Sequence, residues 1–261
     1  MKGRRHQVLQ YLKHLLTART KYYIHSPFVY ELCEKVIYDR RQFYAFEAIE
    51  TLRSRLLSSE KVVEVTDFGS GSKVMSKLRE IREIAKNASV SPKAGQMLFR
   101  LVNHLQPKTI LELGTSLGIS TMYLASANHH ATILTIEGCP QTAKLAGKNF
   151  ELMKAGNIQQ ITGRFEDKIP ELLSQISQLD LVFFDGNHRA APTLQYFNWC
   201  LDKAHTGSVF IFDDIYWSED MTLVWNQIQH HPKVTLTIDL FRLGLVFFRT
   251  EQAKEHFKLY F

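Results

Sequence analysis

Three aspartates close apolar runs in the second half of the chain: Asp185 ends LDLVFFD, and Asp213 and Asp214 end GSVFIFDD. Such runs read as buried strands, so their terminal carboxylates stand at the edge of a low-dielectric wall. Three negative charges there repel one another strongly unless something positive joins them. A hard divalent cation held through oxygen, magnesium first, is the expected partner. For each acid taken singly, a helix cap or a structural ion pair is the ordinary alternative.

A second constellation lies upstream. In TILELGTSLGIS, Glu112, Gly114 and Gly118 stand where a buried run gives way to a helical one. Glycine at 114 permits a tight turn and close backbone approach, and a helix starting beyond Gly118 offers unpaired amides. Glu137 ends the next run, TILTIE, about 20 residues on, the distance at which a carboxylate meets the two hydroxyls of a bound ribose. Contact with a pyrophosphate needs glycine at 116, and the residue there is Ser116. The turn therefore suits a nucleoside cofactor without a diphosphate. A rival glycine turn, DFGSGS at 67–72, is followed by no run ending in an acid; it reads as a lid or connector, or as a plain surface turn.

These residues need a scaffold, and the pattern supplies one. Up to about residue 90 the periodicity predicts helices over 5–18, 27–38, 42–58 and 73–87. From there strands and helices alternate: helix 92–105, strand 109–113, helix 118–127, strand 132–137, helix 140–154, strand 157–162, helix 168–177, strand 179–185, helix 190–204, strand 207–214 and helix 219–230. Alternation of this kind implies βαβ units and a parallel sheet covered on both faces. VTLTIDLFRLGLVFFR at 234–249 adds two strands joined by a turn at 240–244. The expected fold is α/β: a Rossmann-like, seven-stranded, mostly parallel sheet with a C-terminal antiparallel hairpin, over 89–261, preceded by a helical extension or lid over 1–88.

The string ELGTSLG followed by TIEGCP resembles the first two motifs of class I S-adenosylmethionine-dependent methyltransferases, and the stretch from Ser91 to Asp214 is similar to their metal-dependent, catechol-type O-methyltransferases. The resemblance implies S-adenosylmethionine as cofactor, with Glu112, Gly114, Gly118 and Asp185 around it and Glu137 on its ribose. It places Val90 and Ser91 at the methionine end, Ser120 at its carboxylate, and Phe165 and Glu166 at the adenine edge. It also carries Asp185, Asp213 and Asp214 onto three metal ligands. Two departures stand out. The third ligand in that family is usually asparagine, and the catalytic lysine three residues after the first aspartate is His188 here, in a DGNH string closer to sugar-hydroxyl methyltransferases. Imidazole titrates near neutral pH and can take a proton from a hydroxyl, so His188 with Asp185 is the expected catalytic pair. HSPFVYELCEKV, within the first 88 residues, resembles a helical extension of bacterial methyltransferase-like proteins and implies no substrate.

The expected reaction is thus methyl transfer from S-adenosylmethionine to a small-molecule hydroxyl, with divalent-metal assistance. N- or RNA methylation is the alternative among enzymes, supported only by the basic N-terminus and opposed by the lack of an NPPY-like string. A non-catalytic methyltransferase-like binding module is the alternative outside them.

Composition narrows the setting. The chain has 261 residues, 45% hydrophobic and 22% charged, with a net charge of +6. No apolar run approaches the roughly 20 residues a spanning helix needs, and the N-terminus lacks a secretory pattern. Cys33, Cys139 and Cys200 read as free thiols in a reducing compartment, so a cytoplasmic protein is expected, with a homodimer open. Residues 1–30 hold six Lys/Arg and no Asp or Glu. They read as one amphipathic helix docked through Val8, Leu12, Leu15 and Leu16 rather than as a nucleic-acid arm.

Overall fold

The computed structural model describes residues 2–67, 75–187, 189–250 and 253–261. In chain order the helices are α1 (Lys2–Thr17), α2 (Pro27–Leu32, continued by a π-turn over Cys33–Ile37) and α3 (Tyr44–Leu57). A hairpin of β1 (Val62–Asp67) and β2 (Met75–Glu80) leads into α4 (Ile81–Asn87) and α5 (Pro92–Leu105). Then come β3 (Thr109–Leu113), α6 (Ile119–Ala127), β4 (Thr132–Glu137), α7 (Pro140–Leu152), β5 (Ile158–Thr162), α8 (Phe165–Gln175) and β6 (Leu179–Phe184). The chain finishes with α9 (Ala190–Leu201), β7 (Ala204–Phe212), α10 (Glu219–His230), β8 (Leu236–Asp239), β9 (Gly244–Phe247) and β10 (Glu255–Lys258).

The architecture is α/β with a mostly parallel central sheet, as the alternation predicts. Two compact units divide it, Lys35–Glu171 and Met1–Glu34 with Leu172–Phe261, a division that falls elsewhere than the 88/89 boundary. In the first unit β3, β4 and β5 run parallel in register, Thr109 opposite Thr132 and Ile133 opposite Ile158. α5 opens on Ser91, whose hydroxyl accepts from the Ala94 amide at 3.3 Å, with proline in its first turn, where a missing N–H costs nothing. In the second unit β6 runs parallel to β7, and β9 runs against both β7 and β8. Its core is aromatic: Phe184 stacks on Phe212 at 4.3 Å, and Phe197 and Phe210 pack beside them.

Three features depart from the sequence expectations. Residues 75–80, expected as the start of a helix over 73–87, pair as a strand with β1 from Val62 opposite Glu80 to Asp67 opposite Met75. The β-branched run of β1 needs a partner for its backbone, and pairing outweighs the helical periodicity of KLREIREIA. The strands β3 to β10 make eight rather than seven, because β10 adds parallel to β8; four residues with no apolar run give no sequence signal.

The third departure is α1, which docks by its polar face. His14 is 3% exposed, its Nε2 at 3.1 Å from the Leu259 carbonyl and its Nδ1 at 3.4 Å from Asp239. His6 bonds Thr222 at 2.9 Å, and Tyr11 sets its edge against Phe241. The dock is polar on the receiving side, with a carboxylate and a chain carbonyl, so the face that can answer them turns inward. Val8, Leu12, Leu15 and Leu16 point outward, Leu16 86% exposed. No described helix is long and apolar enough to cross a membrane, and all three cysteines are free and buried.

Candidate functional site

The β3–α6 turn is bent as the glycines allow. Gly114 has φ 105° and Gly118 φ 84°, and between them Ser116 takes the left-handed region at φ 48°. A Cβ on Gly118 would lie 2.4 Å from the Phe150 ring, so both backbone angle and space demand glycine there. Amides of Gly114 and Thr115 bond the Ile136 carbonyl at 3.0 and 3.2 Å, which stitches the turn to the end of β4.

Glu137 completes the stitch. Its Oε2 accepts from the Ser116 amide at 2.8 Å and its Oε1 from the Cys139 amide at 2.9 Å. Burial pushes its pKa up, and those two amides, Cys139 first, hold it down. Each carboxylate oxygen keeps a lone pair beyond these bonds. Glu112 lies deeper, fully buried at the end of β3, where Thr121 and Thr135 donate to its Oε2 at 2.5 and 2.7 Å. Burial raises its pKa to about 7 against the surrounding hydroxyls of Ser120, Thr121 and Thr135. Its Oε1 and the Ser116 Oγ are buried with no hydrogen-bond partner among the described residues. Two orphaned polar atoms, one at the end of β3 and one in the turn that follows it, fit a polar ligand that completes them.

Of the remaining cofactor candidates, Val90, Ser91, Ser120, Phe165 and Glu166 lie in the same unit as this turn, and Asp185 lies in the other. Ser120 is buried in the first turn of α6, and Val90 is buried before α5, which packs on α6. The Gly163 amide bonds the Glu137 carbonyl at 3.0 Å, which brings the β5 exit beside the acid; Phe165 and Glu166, half-buried, follow as the first residues of α8. The hairpin also reaches this place, because the Thr66 amide bonds the Cys139 sulfur at 3.3 Å. The glycine turn that continues it, residues 68–72, lies outside the described residues.

The acidic strand ends form the second cluster. Phe184 and Phe212 are register partners, so Asp185 and Asp213 leave adjacent strands side by side, and the Asp213 amide bonds the Phe184 carbonyl at 3.0 Å. Asp214 is turned into the left-handed region, φ 53°. The charge that meets them belongs to the protein. Arg242 donates from Nε and Nη2 to the two oxygens of Asp213 at 3.0 and 3.1 Å and stands 3.6 Å from Asp214. Burial works against its charge, but Asp213, Asp214 and Asp185 outweigh it and hold the guanidinium above its ordinary pKa.

The magnesium expected at Asp185, Asp213 and Asp214 is not shown, and an arginine stands at these acids. The donor set does not fit a divalent ion as it stands, because both Asp213 oxygens are taken by a fixed cation; among the described residues no three His, Cys, Asp or Glu side chains group as a metal site. Sequence reasoning demanded a positive partner and missed Arg242. The signal was the basic residue in the turn of the closing hairpin, whose second strand runs antiparallel and so begins at the carboxyl edge of β7. His188 lies outside the described residues. Its neighbour Asn187 has φ 56°, and the Arg189 amide bonds the Asn187 carbonyl at 2.5 Å.

With this geometry in view, the comparisons with known proteins are direct. The family described as a methyltransferase domain matches residues 111–215, from within β3 to just past Asp214. Solved structures share the fold: an O-methyltransferase from Bacillus cereus in complex with SAH, with TM-score 0.57 and 18% identity over 80% of this chain and 92% of that one, and TomG from Streptomyces achromogenes with SAM, with TM-score 0.57 and 19% identity over 85% and 95%. The fold is therefore the Rossmann-like α/β fold of these solved methyltransferases. Among sequence relatives, the catechol O-methyltransferase of Niastella koreensis is 34% identical over 132 residues, 49% of this chain and 58% of that protein. That of Mycobacterium tuberculosis is 30% identical over 131 residues, 49% of this chain and 57% of that protein. The matches thus span less than two thirds of those relatives.

Proposed function

We propose that the chain is an S-adenosylmethionine-dependent O-methyltransferase acting on the hydroxyl of a small molecule. The observation that carries this is the glycine turn locked to Glu137 by the Ser116 and Cys139 amides, with the orphaned Glu112 Oε1 and Ser116 Oγ behind it. In this reading Glu137 takes the ribose hydroxyls, and Glu112, Val90, Ser91, Ser116 and Ser120 line the methionine end. Phe165 and Glu166 border the adenine. The bound cofactor supplies an electrophilic sulfonium methyl group.

The chain's own contribution is positioning and proton transfer. His188, three residues after Asp185 in the sequence, accepts the proton of the acceptor hydroxyl as its oxygen attacks, and Asp185 fixes the approach. A hydroxyl of small-molecule size, rather than a nucleic acid or amide nitrogen, is favoured by the likeness to catechol O-methyltransferases. No step passes through a divalent metal.

Calorimetry with S-adenosylhomocysteine tests the cofactor half. The wild-type chain should bind it, and Glu137→Ala should weaken binding by about 1–3 kcal/mol, roughly 5- to 150-fold, the worth of hydrogen bonds to a charged group. Unchanged affinity in that variant removes Glu137 from the ribose. Labelled-methyl transfer to a panel of catechols and sugars tests the other half: binding without any transfer would leave a non-catalytic module.

A further inference from the structure

We infer that Arg242 is the resident cation of the acidic strand ends and that methyl transfer by this chain needs no divalent metal; the second clause rests on the methyltransferase reading above, the first does not. The backbone brings the half-exposed Arg242 side chain to these acids. Gly244 of β9 is the register partner of Phe212 of β7, so the turn before β9 must pass the residues after β7. Four bonds pin it: Leu240 N to Leu243 O at 2.9 Å, Arg242 N to Leu240 O at 2.9 Å, Ile215 N to Arg242 O at 3.3 Å and Phe241 N to Asp239 Oδ1 at 2.8 Å. Gly244 is itself backed by Trp225, which a Cβ there would meet at 2.6 Å.

The pairing is a two-pronged fork onto a carboxylate whose side chain is only 2% exposed, the arrangement in which arginine outperforms any point charge. A divalent ion among the same acids would have to take Asp213 oxygens from the guanidinium and then sit beside its charge. Asp213 engages two of the five N–H donors of Arg242. The others suit an acceptor oxygen that carries or develops negative charge, a catechol-type hydroxyl or one beside a carboxylate. Arg242 is thus a positioning residue for the acceptor.

The probe is Mn2+, titrated by electron paramagnetic resonance onto protein loaded with S-adenosylhomocysteine. Wild type should show no site tighter than millimolar. Arg242→Met, which removes the charge and leaves three acids, should gain a site at least tenfold tighter, whereas Arg242→Lys, which keeps the charge, should not. Micromolar Mn2+ binding by wild type would overturn the inference, as would an Arg242→Met protein that binds S-adenosylhomocysteine normally and gains nothing. If Arg242→Met does not fold, the wild type decides alone: transfer within twofold after a chelator supports the inference, and a tenfold loss restored by Mg2+ overturns it. Failure of wild type to bind S-adenosylhomocysteine would instead remove the methyltransferase reading and leave the Mn2+ result standing.

A separate observation carries a second inference: α1 is a docking helix for an anionic lipid surface. Its polar face is occupied by the fold, and its outward stripe holds Val8, Leu12 and Leu16 at helical spacing, each more than half exposed, with exposed Arg5 and Lys13 on the same helix and exposed Arg19 just past its end. No acid occurs in residues 1–30. A second copy packed on this face would set the same cations against each other, while an anionic bilayer answers both the apolar stripe and the charge. Co-sedimentation should show at least tenfold more protein on vesicles of phosphatidylglycerol and phosphatidylcholine than on phosphatidylcholine alone, and Leu12→Glu/Leu16→Glu should abolish the difference. Equal binding to both vesicles, or a wild-type dimer in ultracentrifugation that the same variant dissociates, would overturn it.

Discussion

Gly118→Val is expected to lower the melting temperature by roughly 5–15 °C and to weaken S-adenosylhomocysteine binding by 100-fold or more. The two causes are separable. Gly118 sits at φ 84°, where a side chain costs about 1–2 kcal/mol, and its new Cβ would lie 2.4 Å from Phe150, an overlap that costs about 1–3 kcal/mol to relieve. For a chain of this size each kcal/mol moves the midpoint by roughly 2–4 °C. Phe150 cannot simply retreat, because its neighbour Asn149 donates to the Leu117 carbonyl at 2.9 Å and ties α7 to the turn. The start of α6 must shift instead, and it takes the Ser116 amide off Glu137. Scanning fluorimetry and calorimetry read both effects. Adding Phe150→Leu should recover the steric part and leave the backbone part. A Gly118→Val protein that melts and binds like wild type would show that the turn is not held as described.

How much of this was legible in the residues depends on how local the cause is. The β3 turn and Glu137 could be read because glycine, a strand-end acid and a following helix lie within one βαβ unit, and each has a signature of its own. That Ser116 adopts φ 48° and lends its amide to Glu137 could not, since that follows from the two loops meeting. The periodicity of α1 marked an apolar stripe correctly and gave no means to tell which side stays dry. That is decided by Asp239 and Leu259, more than 200 residues away in sequence. The acidic cluster shows the same limit. Asp185, Asp213 and Asp214 announced that a positive charge was required, because electrostatics of adjacent strand ends is a local argument. Its identity came from the antiparallel register of β9 on β7, which brings Arg242 back to the cluster across about 30 residues of chain. β2 and β10 were missed for a related reason, since a strand whose partner supplies the drive has little pattern of its own.

His188→Ala is expected to reduce kcat by roughly 100- to 10,000-fold at pH 7.5, the usual contribution of a positioned general base, with KM for the acceptor and affinity for S-adenosylhomocysteine within a few fold of wild type. The residue follows Asp185 at the carboxyl end of β6, where open α/β sheets gather their ligands. No other histidine occurs between Asp185 and Asp214 except His205, which is occupied with Asp180 at 2.8 Å. The pH profile separates a base from a structural residue. Only the neutral imidazole can accept a proton, so wild-type kcat should fall on the acid side, where the imidazole is protonated, and level above it. The variant has no such limb. Its rate should keep rising with pH as hydroxide or the ionised acceptor replaces the missing base, so the gap to wild type narrows steadily towards pH 10. His188→Gln, which keeps a polar side chain of similar reach but cannot accept that proton, should behave like the alanine variant. A variant at 188 with normal turnover, or one whose loss is constant across pH, would leave the histidine as a structural residue and send the search for the proton acceptor elsewhere on the strand ends.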